Sequence, residues 1–516
     1  MRSAGFLANI ALGALLLTGA GQAQPVAMTP PPAEVDWPMY GRNLRHSFSN
    51  PQSRINPGNV AGLRQVWTFP TGDAVSASPT VVDGVVYVGS WDGYFYALDA
   101  KAGTLIWKFR VDCQNTIAPV PPHCLAPGET PPPRFITDGG LITSTAAVVR
   151  GRVYFAAGKT VYSLNARDGS LHWKRVICGN PEAPNCAADP RDSTQIFSSP
   201  AVFGGMLFVG HTVDGEGYRG AIEALDAEDG TQRWRFEVDP ILDAADEPAL
   251  DEIGPAAGGY NRGCGNVWSS AAVDPGSNLV FFTTADCNRE AVPPYHEAIL
   301  ALEADTGTAR WVYRPPRHDP ACDFDFGATP NLIDVAGRHY LGVGGKDGTY
   351  YLLRRRSAAP QGDLVWATNV VFGGSAGGFF GASFEDGRIF AATMLGDGNI
   401  VEQTGLCAPA DPRDTFLQEP SIHALSLADG GVLWQATQNH SAAPTSLAAG
   451  VVFSGLLGIE GFGLNAYDAR TGELLVRLPV PSSVNSAATP LGDMLFVTSG
   501  NPTDGSGSGV TAFALP

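Results

Sequence analysis

The chain repeats itself, and a short repeated unit restricts the possible fold more than any local pattern does. One half of the unit opens with small residues and then alternates strand-forming residues around a turn. It recurs as "SASPTVVDGVVYVGS", "STAAVVRGRVYFAAG", "SSPAVFGGMLFVGH", "SSAAVDPGSNLVFFTTA", "ATPNLIDVAGRHYLGVGG", "GASFEDGRIFAAT", "SLAAGVVFSGLLG" and "SAATPLGDMLFVTSG". The other half is a strand, a glycine turn and a strand carrying tryptophan, as in "YALDAKAGTLIWKF" and "EALDAEDGTQRWRF". Each half reads as a β-hairpin, so a full unit predicts one four-stranded antiparallel sheet. The recurring Trp67, Trp107, Trp173, Trp234, Trp311, Trp366 and Trp434, with Val476 in the last such place, are expected to pack sheet on sheet. The two ends complete each other: "VTAFAL" lacks an outer strand, and "LRQVWTF" is an outer strand without inner ones. Joined, they predict an all-β, eight-bladed β-propeller of four-stranded antiparallel blades with tryptophan-docking motifs, closed by an N-terminal strand. It is expected to span residues 61–516, after a lead-in segment at 24–60.

Residues 1–23 read as a cleaved export signal, with one arginine, an apolar run and small residues ending at Ala23. A periplasmic protein is therefore expected. No later stretch approaches ~18 uninterrupted apolar residues, so no membrane span is expected. A net charge of −18 argues against nucleic acid or anionic membrane as partner. Eight cysteines in an exported chain point to disulfides, with Cys113/Cys124 and Cys178/Cys186 as short local loops. No CxxC or CxxCH occurs, so neither a zinc site nor a covalent c-type haem is expected. Long Pro/Gly-rich insertions such as "CQNTIAPVPPHCLAPGETPPPR" are the expected rim of a site.

The pattern A-x-D-x-x-x-G-x-x-x-W resembles the docking motif of the eight-bladed quinoprotein alcohol dehydrogenases. "DWPMYGRNLRHSFSNP" and "CDFDFGATPNL" resemble the polyvinyl-alcohol dehydrogenase branch, and the resemblance covers Asp36 to Pro516. It implies pyrroloquinoline quinone (PQQ) across the central channel, stacked on a tryptophan and joined to protein carboxylates by a metal. "NVWSSAAVDPGSNLVFFTTAD" carries over Trp268 as the stacking platform and Asp286 as metal ligand; the family has Asn there, so Asn288 is a rival. "VGHTVDGEGYRG" carries over Glu216 as metal ligand, with Asp214 its rival, and sets Thr212 and Arg219 near the cofactor. Arg262 and Arg134 are further candidate cations for a tricarboxylate. "WVYRPPRHDPACDFDF" puts Asp323 on the catalytic base, also a metal ligand, and "GGKDGTYYLLRR" puts Lys346 on the basic residue at the quinone oxygens. Asp325 is a further metal candidate, because an aspartate at that offset accompanies a lanthanide instead of calcium in some quinoprotein dehydrogenases.

Elementary chemistry agrees with this set. A hard cation takes oxygen ligands and neutralises carboxylates that otherwise repel. It also acts as a Lewis acid, while Asp323 takes the alcohol proton as hydride leaves carbon, and Lys346 stabilises the developing oxyanion. The expected substrate is a small or polymeric alcohol. The cytochrome domain of some relatives is missing here, so an external acceptor such as a cytochrome c is expected. The sequence departs from the family in three places: it lacks two adjacent cysteines, Ser76 replaces an acidic residue, and "SAGGFFGASFEDG" lacks an Asn-Trp pair. The alternative is a non-enzymatic binding or assembly scaffold of the outer-membrane type, which shares docking repeats but has no use for the acidic set.

Overall fold

Tight hairpins are what the repeat first dictates. In a computed structural model of the protein, the turns Asp83–Gly84, Arg150–Gly151, Ala336–Gly337, Asp386–Gly387 and Ala449–Gly450 have positive φ at both residues. Such turns match the twist of the strands they join. The structure describes residues 36–113, 122–125, 127, 141–181, 192, 194–212, 220–238, 265–285, 295–316, 324–371, 373, 378–394, 421–458, 461–501 and 507–516. All lie in the unit Pro32–Pro516. They form eight antiparallel blades whose strands run from the axis outwards in sequence order, the last blade excepted. In that blade the outer strand Arg64–Pro70 pairs with Gly509–Ala514 near the C-terminus, which closes the ring. The expected propeller and its closing strand are therefore present.

The docking tryptophans work by one mechanism. Just before each of them the outer strand slips register by one residue, leaving Val66, Ile106, His172, Arg233, Arg310, Val365 and Leu433 unpaired. Such bulges re-aim the side chain that follows. Each indole N–H then donates to a carbonyl of the next blade: Ala100, Ala166, Ala227, Ala304, Arg355, Leu427 and Ala469 in turn. The ring covers that blade's glycine turn; a Cβ on Gly169 would stand 2.6 Å from the Trp107 ring. Only glycine leaves room there. The eighth seam has the bulge but carries Val476, and it is filled by Ile55 and Val60 of the lead-in and by Leu63 just after it.

Near the axis the small residues that open each unit form a hydroxyl belt. The amides of Ala487, Ser78, Thr145, Ser199, Ser270 and Ser383 donate to hydroxyls of Ser78, Thr145, Ser199, Ser270, Thr329 and Thr445. The lead-in also stitches the blades. From Trp37 to Arg54 its bonds reach Val81, Val148, Val273, Leu332, Phe384, Leu447, Pro490 and Gly492, on the inner strands or first turns of seven blades. Positive φ at Arg42, His46 and Phe48 lets it curl tightly around the axis.

Blades four (Ala272–Tyr313) and five (Asn331–Asn369) are further braced by charge. Arg355, fully buried, pairs with Asp274 at 3.0 Å and Asp334 at 2.7 Å, and lead-in Arg45 also pairs with Asp334. Burial opposes ionisation of Asp274, but bonds from Arg356 and Ser277 and the charges of both arginines outweigh it, so its carboxyl stays well below the usual range. A depressed carboxylate stabilises the fold above its unfolded value and stops doing so as pH falls through the folded one. Asp274→Asn is expected to cost about 3 kcal/mol at neutral pH. The gap to the wild type should shrink below pH 3.8, the ordinary value of this carboxyl. Urea midpoints measured across that range check both parts.

Candidate functional site

Two kinds of connection open on one face of the propeller: those that lead into each inner strand, and those between second and third strands. The lead-in bonds to first-turn residues such as Gly492, and Asp36 accepts from the amide of Asp83, so it lies toward the opposite face. Trp268 lies on the approach to blade four, Asp325 on the approach to blade five, and Lys346 on blade five's second-to-third turn. The hydroxyl belt sets the two approaches against each other, because the Ser270 amide donates to Thr329 Oγ1 at 3.0 Å. Thr283 Oγ1 adds a bond to the Ala328 carbonyl at 2.9 Å.

These supports bring Trp268, Asp325 and Lys346 together. The Lys346 ammonium lies 2.9 Å from Asp325 Oδ1, and Trp268 Nε1–H donates to Asp325 Oδ2 at 3.1 Å. The Lys346 amide donates to the Asp325 carbonyl at 2.9 Å. The ammonium also stands 5.3 Å from the centre of the Trp268 ring, within cation–π range. The Asp325 and Lys346 side chains are only 6% and 12% exposed, whereas Trp268 is partly open. The lysine turn is itself fixed by Asp347, which accepts from the Thr349 amide and the Tyr351 hydroxyl.

Two contributors were not singled out from sequence. Gly327 backs the indole: a Cβ there would stand 2.2 Å from the Trp268 ring. Phe380 lies 6.3 Å from that ring, at a register slip between Phe379 and Ala382 in the inner strand of blade six. Its position in "GGFFGASF" beside paired glycines was the available signal, since a bulge next to glycine re-aims a side chain.

Thr212 bridges to Gln195, and its hydroxyl donates to the Gln195 carbonyl at 3.1 Å. Behind it His211 and Glu223 are buried 4.0 Å apart, with Arg235 2.7 Å from Glu223. Burial pushes the Glu223 carboxyl up to about 7 against the pull of Arg235, and burial holds His211 well below its ordinary value. Ser76 accepts a bond from Trp91 Nε1 at 2.9 Å. Glu216, Asp214, Arg219, Arg262, Asp286, Asn288, Asp323 and Arg134 lie outside the described residues. The flanking strand ends, at His211, Thr283, Tyr313 and Asn331, open on the face of Trp268. Cys113 and Cys124 form the expected disulfide, and Cys178 is also disulfide-bonded, while Cys186 lies outside the described residues. His123 is close to Cys113 and Cys124, but their sulfurs are bonded to each other and free for no metal.

Trp268, Asp325 and Lys346 thus meet on one face of an eight-bladed ring. The profile of the PQQ family, "Glucose/ethanol/alcohol dehydrogenase, beta-propeller domain", matches residues 37–365, and the chain belongs to this family. A second profile, "Outer membrane protein assembly factor BamB", matches residues 418–514. A polyvinylalcohol dehydrogenase of Pseudomonas sp is 24% identical over 446 residues, 80% of this chain and 61% of the relative. The chain thus spans about three fifths of that relative. The quinohemoprotein alcohol dehydrogenase of Comamonas testosteroni superposes with a TM-score of 0.66 at 21% identity, covering 93% of this chain and 80% of that one. A europium-containing methanol dehydrogenase gives a TM-score of 0.69 at 18% identity, covering 94% and 98%. These two likenesses show the shared fold.

Gly327→Ala is expected to displace the Trp268 ring at a cost of about 1–3 kcal/mol, as overpacking does. A crystal structure of the variant with the indole unmoved and still bonded to Asp325 would refute the backing role.

Proposed function

We propose that the chain is an exported, periplasmic quinoprotein dehydrogenase that oxidises alcohols with PQQ and a bound metal. Its substrate class is a secondary alcohol, a polyol or a polyvinyl-alcohol-like polymer, and its electrons pass to an external acceptor such as a cytochrome c. The observation that carries this reading is the meeting of Trp268, Asp325 and Lys346 on the face where the connections bearing Glu216, Asp286 and Asp323 open.

The residues fit such a cofactor. A partly open indole backed by glycine suits a planar conjugated ring. An ammonium beside it suits that ring's oxygens. Carboxylates brought from three connections suit a hard cation, calcium or a lanthanide. When bound, the quinone supplies the two-electron acceptor for hydride from the alcohol carbon. Asp323 takes the hydroxyl proton as that hydride leaves. Lys346 would stabilise negative charge developing on oxygen, and Trp268 would support the flat ring of the cofactor. Glu216, Asp286, Asp323 and Asp325 would hold the metal, while Thr212, Arg219 and Arg262 would be the remaining cofactor contacts. Membership of the PQQ family supports the reading, as does the relative named for polyvinyl alcohol. Among the described residues no helix is long and apolar enough to cross a membrane.

The scaffold reading has one observation in its favour, the match of residues 418–514 to an outer-membrane assembly factor. Titration of metal-stripped protein with PQQ, with and without calcium or lanthanum, separates the two. Metal-dependent stoichiometric binding is expected; no binding under either ion would favour the scaffold. In enzyme reconstituted at saturating metal and PQQ, with bound quinone measured for each variant, Asp323→Asn should lower turnover per bound quinone about a hundredfold or more, the scale of a lost general base. Full activity in that variant would remove Asp323 from the chemistry.

A further inference from the structure

We infer that Glu223 and His211 form a buried proton-holding pair in blade three, and that this pair positions the two connections fixed by the His211 backbone. The pair itself stands on geometry alone; its consequence for the site rests on the function proposed above.

Both residues lie on the strands that carry the Thr212 turn. His211 ends the second strand, Met206–His211, and Glu223 lies in the third, Ala221–Asp226, two register pairs further from the turn. The two side chains are fully buried, with His211 Nε2 4.0 Å from Glu223 Oε1. Arg235 of the outer strand lies 2.7 Å from Glu223 Oε1 and 2.5 Å from Glu237 Oε1. It also donates to the carbonyls of Cys178 at 2.9 Å and Gly179 at 3.3 Å, at the end of blade two. Two carboxylates thus share one guanidinium. Glu237 is one-third exposed, so water screens it, whereas Glu223 Oε2 and both ring nitrogens of His211 have no hydrogen-bond partner among the described residues. A buried carboxylate with an unpartnered oxygen and a shared counter-ion is a favourable place for a proton. Arg175 of blade two also faces Glu223, and Lys159 and Asp192 lie 4.0 Å apart beside Gly179.

Burial, opposed by Arg235, pushes the Glu223 carboxyl up to about 7, while burial and then Arg235 hold His211 well below its ordinary value. Near neutral pH the group that gains or loses charge is therefore Glu223, against a neutral imidazole. In so dry a place one charge alters every nearby polar contact. The effect passes through His211. Its neighbour Thr212 donates its amide to the Gln195 carbonyl at 2.9 Å, and the His211 carbonyl accepts the amide of Val267 at 3.2 Å, one residue before Trp268. On the proposed reading these lead to a cofactor contact and to the stacking platform, so the site would be set differently on the two sides of neutrality.

The test uses protein free of metal and quinone. Infrared difference spectra between about pH 5 and 9 should show a buried carboxylic acid losing its proton with a midpoint near 7, and Glu223→Gln should lack that band. Glu237→Gln, which leaves Arg235 to Glu223 alone, should move the midpoint to lower pH. A carboxyl raised above its unfolded value contributes stability fully below 4.5 and loses it as pH rises through about 7. The urea midpoint of the wild type should therefore fall relative to that of Glu223→Gln over this range. Positioning is read from ¹⁵N-threonine, the Thr212 amide being the signal absent in Thr212→Ser. That signal should titrate with the infrared midpoint in the wild type and lose the step in Glu223→Gln. A band that survives in Glu223→Gln, or that does not change with pH, would overturn the proton-holding pair. A Thr212 signal that titrates alike in both proteins would overturn the positioning. Neither readout needs metal or quinone, so failure of the PQQ titration above would withdraw the proposed function and leave this inference to be decided on its own.

Discussion

The indole N–H that each docking tryptophan gives to the next blade, with its ring over that blade's glycine turn, makes a ring out of separate sheets. A four-stranded sheet alone has two open edges and too little core to stand in water. The bulge ahead of each tryptophan is what turns the side chain across the seam. The contact lies at the rim, yet it sets where inner strands meet the axis. The seam that matters most shows this: Trp311 donates to the Arg355 carbonyl, and the side chain of the same Arg355 bridges Asp274 and Asp334. Packing, hydrogen bonding and charge thus hold blades four and five at the end away from the site. The Ser270–Thr329 bond holds them in the middle, and Asp325 joins their loops at the open end.

Closing the ring raises a different difficulty, because a circle of blades has one seam joined by chain ends. Here the strand Arg64–Pro70 completes the last blade, and no tryptophan serves the neighbouring seam. The lead-in supplies what is missing. Ile55 and Val60, with Leu63 just after the lead-in, fill the space beside Val476, and the stretch before them bonds to seven blades in succession. Each bond is modest, about 0.5–1.5 kcal/mol net. Together they tie the inner strands to one segment, so a shift of one blade disturbs the others. A site assembled from several blades depends on that stiffness, since a displacement of even an ångström degrades catalytic geometry.

The propeller, its blade count and the closing strand were legible because a repeat announces its own period. The tryptophans were legible for the same reason. The lead-in was not, beyond its existence: its partners lie on seven strands, so it shows neither the alternation of a strand nor the period of a helix. The small residues opening each unit were visible as a pattern, but their purpose, an amide-to-hydroxyl bond across the seam, depends on the neighbouring blade. At the site, Trp268 and Lys346 were singled out through resemblance. Their meeting at Asp325 was not, because it joins residues far apart in sequence through the packing of two blades. Gly327 was hidden for a simpler reason. A glycine that makes room for a ring leaves no mark distinguishing it from a glycine that makes a turn.

The pairing of Lys346 with Asp325 bears on how charge at the site is counted. With the Lys346 ammonium 2.9 Å from Asp325 Oδ1, each charge is partly offset by the other. The other carboxylates for a cation on the proposed reading are Glu216, Asp286 and Asp323. They balance a trivalent ion without any help from Asp325, so the presence of a fourth carboxylate does not by itself argue for a lanthanide. The same reasoning runs the other way for the cofactor. A tricarboxylate needs cations that are not already spoken for, and a paired lysine supplies only a directed hydrogen-bond donor. On the proposed reading that demand would fall on Arg219, between the second and third strands of blade three, and on Arg262, in the insertion between blades three and four.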